Sequence, residues 1–130
     1  RLFYSGKHKK HVAKWECGVR ISDGLFVWVS EMCPGSCHDL VIYKHSGLKD
    51  SISDGEKILG DKAYIGEDSI VSPFKGNSLS SDQLRFNQTH SLVRIKVENS
   101  FAHLKNFECL KKPFGHGFEK HHTCFVVCVQ

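Results

Sequence analysis

The feature that most constrains this fold is a long helical stretch from Ser80 or Ser81 to about Lys111. Val93, Val97, Phe101, Leu104 and Phe107 recur there at intervals of three and four residues, which puts them on one stripe of a helix. A serine hydroxyl is available to cap its start, and Pro113 with Gly115-His116-Gly117 ends it. An apolar stripe of that length has to be covered by a second layer.

Strands from the first half of the chain supply that layer. Val12 to Ile21 alternates loosely through Val12, Lys14, Trp15, Cys17, Val19 and Ile21, the period of a strand. Ser22-Asp23-Gly24 makes a tight turn, and Leu25 to Val29 returns as an apolar, central strand. Pro34-Gly35 then breaks the chain. Ser36 is a candidate N-cap, with Asp39 three residues on in the capping-box position. The spacing predicts a helix from Cys37 to about His45, stopped by Gly47. Lys57 to Gly60 and Ile70 to Phe74 read as two further short strands, the second stopped at Pro73. A last helix begins around His121. Strands in a hairpin, then alternating with helices, predict an α/β domain with a mixed sheet.

The 130 residues suit one domain with a real core. No apolar run approaches the ~18 residues of a membrane span, and no leader pattern is present. The net charge of +4 and the run Lys7-His8-Lys9-Lys10-His11 are compatible with a nucleic-acid partner and equally with a solvated edge. The six cysteines are expected as free thiols. Cys124 and Cys128 sit in an apolar segment, where cysteine serves as a small hydrophobe. A zinc site from Cys33, Cys37 and His121 or His122 is a weaker alternative on ligand type.

Two carboxylates occupy settings that suit chemistry. Asp61 follows the Lys57–Gly60 strand, and ligands of α/β sheets sit at the carboxyl ends of strands. Glu98 shares a helical stripe with Ser91, Arg94 and Lys105. Together they could hold a hard cation, with the cations left for phosphates. Ordinary structural roles compete: a turn cap for Asp61, and an exposed Arg94–Glu98 pair on the helix. For Asp39 the capping role is favoured over metal ligation.

Several segments together resemble a known family. Tyr4-Ser5-Gly6-Lys7, Pro34-Gly35-Ser36-Cys37-His38-Asp39, Gly60-Asp61-Lys62-Ala63-Tyr64-Ile65-Gly66 and Arg94-x3-Glu98-x6-Lys105-Asn106-Phe107 look like the DDE-superfamily endonuclease domain of PIF/Harbinger-type transposases. Pro73-Phe74-Lys75, Phe86-Asn87 and His121-His122 fit its looser pattern. The resemblance covers essentially the whole chain, read as a single catalytic domain over residues 1–130, incomplete at both ends.

The resemblance implies a ribonuclease-H-like mixed sheet flanked by helices, with its first strand truncated here. It implies a triad of two Asp and one Glu. Asp61 matches the second Asp and Glu98 the Glu, and the first Asp is expected on a strand ahead of Tyr4. The fragment alone is therefore expected to be inactive. Two Mg²⁺ or Mn²⁺ ions, about 3.5 to 4 Å apart, would serve phosphodiester hydrolysis and strand transfer. Asp39 is a further candidate ligand, and Arg94, Lys105, Lys62, Lys7 and Lys9 are candidates for contacting DNA. Ser91 stands where the family's bacterial relatives carry a Tyr. The implied partners are transposon-end DNA and a separate Myb-like DNA-binding protein, with an oligomer allowed, no membrane, and the nucleus as location. The alternative is a domesticated or degenerate transposase-derived domain that binds DNA or protein without catalysis.

Overall fold

The computed structural model describes residues 3–5 and 10–130, so Lys7 and Lys9 lie outside the described residues. The strands in chain order are β1 (Tyr4–Ser5), β2 (Lys10–His11), β3 (Ala13–Lys14), β4 (Cys17–Val19), β5 (Phe26–Val29), β6 (Cys33–Pro34), β7 (Ile58–Leu59) and β8 (Ile70–Val71). The helices are α1 (Asp39–Ser46), α2 (Ser81–Leu104), α3 (Glu108–Lys111) and α4 (Phe118–Val129), with short 3₁₀ turns at Lys49–Ser51 and Lys62–Tyr64.

The class is mixed α/β, as expected, but among the described residues the strands form four two-stranded ladders and not one continuous sheet. β1–β2, β3–β6 and β4–β5 are antiparallel, whereas β7 and β8 run parallel, Ile58 opposite Ile70 and Leu59 opposite Val71. The strand foreseen over Val12–Ile21 is broken at Trp15-Glu16. There the Glu16 N–H donates to the Ser30 hydroxyl (2.9 Å) and the Glu16 carbonyl accepts from Ser30 N–H (2.9 Å). A side chain thus takes one position of the ladder. Pro34 in β6 has no N–H to extend its own pairing.

The β4–β5 hairpin turns as its sequence demands. Asp23 Oδ1 accepts from Leu25 N–H (3.1 Å) and Oδ2 from Arg20 Nε (2.9 Å). Gly24 adopts φ 77°, a conformation open to glycine at little cost. A bulge between Gly18 and Val19 adjusts the register.

Helix α2 begins where expected. Ser80 accepts from Gln83 N–H (3.2 Å), and the Gln83 side chain accepts from Ser80 N–H (3.0 Å), a reciprocal capping box. It ends at Leu104 and does not continue to Lys111; α3 follows as a separate turn. Leu104 is buried, but Phe107 lies past the break and is 49% exposed, so it does not extend the apolar stripe.

Polar clamps seat α2 on the strands. Asn87 grips both backbone groups of Phe74, accepting from its N–H (2.8 Å) and donating to its carbonyl (3.0 Å). Buried His90 meets the Val71 carbonyl through Nε2 (3.2 Å). The Ser100 hydroxyl donates to the Gly24 carbonyl at the hairpin turn (2.6 Å). Helix α1 buries Ile42 and Tyr43, the latter only 1% exposed. The Tyr43 hydroxyl is 2.9 Å from Ser69 Oγ.

Helix α4 docks through Trp15. The indole stacks on Phe125 (centroids 4.2 Å, 8° between planes) and meets His121 edge-on at 5.0 Å. His121 stacks in turn on Phe114 at 4.4 Å. Trp15 Nε1 donates to His122 Nδ1 (3.0 Å). An indole N–H can only donate, so His122 Nδ1 carries no proton. No described helix is long and apolar enough to cross a membrane.

Burial holds the His121 imidazole below its usual value. A histidine whose folded pKa is depressed contributes stability that is present above the unfolded value of about 6.5 and lost as pH falls through the folded one. Acidification from about pH 7.5 to about pH 5 should therefore loosen α4. Amide exchange over Phe118–Val129, corrected for intrinsic rates, should speed up relative to α2. Exchange in α4 that keeps pace with α2 would contradict this docking.

Candidate functional site

The candidate site starts at the carboxyl end of β7. The parallel pairing with β8 continues one step beyond the strand, because Gly60 N–H donates to the Val71 carbonyl (3.1 Å). Gly60 is where it is for lack of space. A Cβ there would stand 2.5 Å from Ile70 Cγ2 and 3.0 Å from Tyr64 Cβ and Cδ2. With only hydrogen in that gap, the Tyr64 ring closes over the strand end and Asp61 leaves it in extended conformation.

Asp61 divides its two oxygens between two tasks. Oδ1 accepts from Ala63 N–H (2.7 Å), capping the 3₁₀ turn Lys62–Tyr64. Oδ2 faces α2, where Arg94 Nη1 lies 3.9 Å away. That separation exceeds a hydrogen bond, and the side chains are 44% and 30% exposed, so the pair contributes under about 1 kcal/mol to stability. The turn-cap role expected as the competitor to ligation is therefore present, and it uses only one oxygen.

Glu98 is exposed and follows Arg94 by four residues, which sets both on one face of α2, their Cβ atoms about 5–6 Å apart. The Arg94 guanidinium thus reaches toward the end of β7 from the helix face that also carries Glu98. Lys105, the C-cap residue of α2, and Lys62, in the turn after Asp61, are exposed.

Asp39 is not the cap it was expected to be. Helix α1 starts at Asp39 itself, behind His38, and has no side-chain cap. Ser36 lies outside it. Asp39 Oδ1 instead pairs with Lys14 Nζ at 2.5 Å, and that ammonium also donates to the Cys37 carbonyl (3.1 Å). The physical reason is the β3–β6 ladder, which pairs Lys14 with Cys33 and so carries the ammonium to the first turn of α1. A carboxylate at the first turn also suits the helix dipole.

Two residues that the spacing arguments passed over join this neighbourhood. Glu16 is buried to 7% exposure. Its Oε1 accepts from the Ser46 hydroxyl (2.7 Å), while Oε2 and Trp28 Nε1 are buried without a hydrogen-bond partner of good geometry. Burial raises the Glu16 pKa and the Asp39 charge adds to it, against the Ser46 hydroxyl and the nearby Trp28 indole. Tyr64 is raised too, first by burial and then by the charges of Glu16, Asp39 and Asp61, with Arg94 opposing. One phenol therefore feels three carboxylates from three separate elements. It keeps its proton at neutral pH and stays a hydrogen-bond donor. Glu16 was legible only as an acid in the loosely alternating Val12–Ile21 segment, between Trp15 and Cys17.

Among the described residues no three carboxylates come within 4.8 Å of one another, and Cys33, Cys37 and the His121-His122 pair do not form such a group either. Trp15 and Glu31 take His122, through Nδ1 (3.0 Å) and Nε2 (3.6 Å) respectively.

The Gly60 packing is testable. Gly60→Ala should destabilise the fold by about 1–3 kcal/mol through overpacking against Ile70 and Tyr64. A fall in the urea midpoint with an unchanged slope would report it. An unshifted midpoint would show that the strand end has room the geometry denies.

A family model described as DDE superfamily endonuclease matches residues 1–130. A curated relative, the probable transposase for insertion sequence element IS702 of Microchaete diplosiphon, is 29% identical over 122 residues, 88% of this chain and 43% of that protein. The chain thus spans less than half the length of that relative. No solved structure matches it.

Proposed function

The chain belongs to the DDE superfamily endonucleases, and on that premise we propose that it is the catalytic domain of a metal-dependent transposase acting on DNA. The observation that supports this most is the divided carboxylate of Asp61. One oxygen is fixed by Ala63 N–H at 2.7 Å, and the other is held only at 3.9 Å by Arg94, on the helix face that carries Glu98. The donor set is oxygen only and accessible, which fits a hard divalent cation.

Asp61 and Glu98 would hold the metal, Mg²⁺ or Mn²⁺ in the two-ion arrangement of the DDE scheme. Bound there, such ions supply positive charge that activates the attacking oxygen and stabilises the leaving one. The chain's own residues do the positioning. Ala63 N–H and the Gly60–Val71 backbone bond keep Asp61 Oδ2 aimed at α2. Arg94, Lys105 and Lys62 offer cations to DNA phosphates, with Lys7 and Lys9 proposed for the same role on sequence alone. Asp39 is committed to Lys14 and is the weaker candidate ligand. It enters the metal site only if Lys14 moves to a phosphate.

The segment order further supports affiliation with PIF/Harbinger-type transposases. A separate Myb-like DNA-binding partner and a nuclear location belong to that same proposal.

The test uses the full-length protein that carries this chain, with Mg²⁺ or Mn²⁺ and DNA bearing the element's ends. Cleavage is expected, and Asp61→Ala or Glu98→Ala should lower it by about two orders of magnitude or more. The DDE scheme has three carboxylates and two are assigned here, so cleavage is expected only from a chain that supplies all three. Undiminished cleavage by both variants would place the active site elsewhere. DNA binding without cleavage in any metal would favour a domesticated binding domain.

A further inference from the structure

The C-terminal helices carry a cluster that the DNA chemistry does not use. Cys124 and Cys128 are one turn apart on α4 and share a face. Cys109 of α3 meets them, so that the three sulfurs all lie within 4.8 Å of one another, with Cys109 Sγ 3.7 Å from Cys128 Sγ. Among the described residues no other three His, Cys, Asp or Glu side chains gather this tightly.

The spacing is that of ligands around a small soft cation. Two thiolates bound to zinc at about 2.3 Å with a tetrahedral angle stand about 3.8 Å apart. Packing alone gives three cysteines no reason to turn their sulfurs toward one point, and the Cys109–Cys128 contact supplies only one weak S–H···S bond. A disulfide needs the sulfurs at about 2.05 Å, well inside the observed 3.7 Å. All three are half-buried, so a cation can reach them. An open hollow of about 530 Å³, lined by Glu119, Lys120, Thr123, Cys124, Val127 and Cys128, borders the cluster and leaves a fourth coordination position reachable from solvent.

We propose that Cys109, Cys124 and Cys128 form a three-thiolate site for a zinc-class cation, its fourth position filled by water or an incoming donor atom. The cation braces α3 to α4. Phe125, about a quarter-turn round α4 from Cys124, already stacks on Trp15. The metal therefore fixes the helix from a second side. The site is separate from Asp61 and Glu98 in place and in chemistry, because thiolates select soft or borderline cations and reject Mg²⁺.

The test loads the reduced chain with Co²⁺, whose sulfur-to-metal charge-transfer absorption reports thiolate ligation and is silent for oxygen ligands. One equivalent should produce the band, Zn²⁺ should abolish it by displacement, and Mg²⁺ should leave it unchanged. In the unaltered chain, Zn²⁺ should slow alkylation of Cys109, Cys124 and Cys128 by at least about tenfold, while Cys33 and Cys37 stay as reactive as before. Cys109→Ser should lose the band, and Cys33→Ser should keep it. The alkylation readout, made on the unaltered chain, does not depend on any variant folding. Absence of the band, equal alkylation with and without Zn²⁺, or a Cys109–Cys128 disulfide in protein that takes up no metal would overturn the proposal.

Discussion

The seating of α2 is the constraint on which the rest of this structure depends. The ladders are two to four residues long, and isolated ladders of that size are marginal in water. One 24-residue helix ties two of them together, β4–β5 and β7–β8, at three points. Asn87 holds Phe74 just past β8, His90 holds Val71 within it, and Ser100 holds the Gly24 turn of the β4–β5 hairpin. His90 adds a second partner to a Val71 carbonyl that Gly60 N–H already pairs, and Asn87 and Ser100 satisfy backbone groups that the short ladders leave unpaired. Left buried without a partner, such a group costs about 1–3 kcal/mol. The clamps also set the rotation of the helix, and the rotation decides which side chains face Asp61.

Much of this could be read in the sequence, and the failures have physical causes. The start of α2 was legible because a capping box is a local device: Ser80 and Gln83 need nothing beyond their own turn. The same reasoning failed at Ser36–Asp39. That pattern is also local, but Lys14 arrives from another strand and offers Asp39 a full charge. A tertiary ion pair outcompeted a cap. The Val12–Ile21 strand failed for a similar reason, since the Ser30 hydroxyl and the pull of α4 on Trp15 interrupt a ladder that alternation alone would have continued. The helix end at Leu104 was hidden, because Phe107 keeps the apolar spacing across a break in the backbone.

The site shows the same division. Asp61 and Arg94 could be picked out because each sits at a position with chemical meaning, a strand end and a helix stripe, and the fold brings them to 3.9 Å. Glu16 and Tyr64 could not be, because nothing in their spacing says that burial will gather them with Asp39. The cysteines divide likewise. Cys33 and Cys37 lie close in sequence and make no cluster, whereas Cys109 meets Cys128 from nineteen residues away.

The position of Arg94 and Glu98 along α2 has a mechanical consequence. Helices fray over their first and last turns, where backbone groups lack partners. Arg94 and Glu98 lie inside those turns, between the His90 and Ser100 clamps. Their backbone groups therefore have helical partners on both sides, and their side chains move mainly through their own torsions. On the opposite side, Asp61 rides on a turn of three residues with a single cap bond. Any change in the gap between strand end and helix must come from the Asp61 side, so the compliance of this site resides in the short turn and its stiffness in the helix.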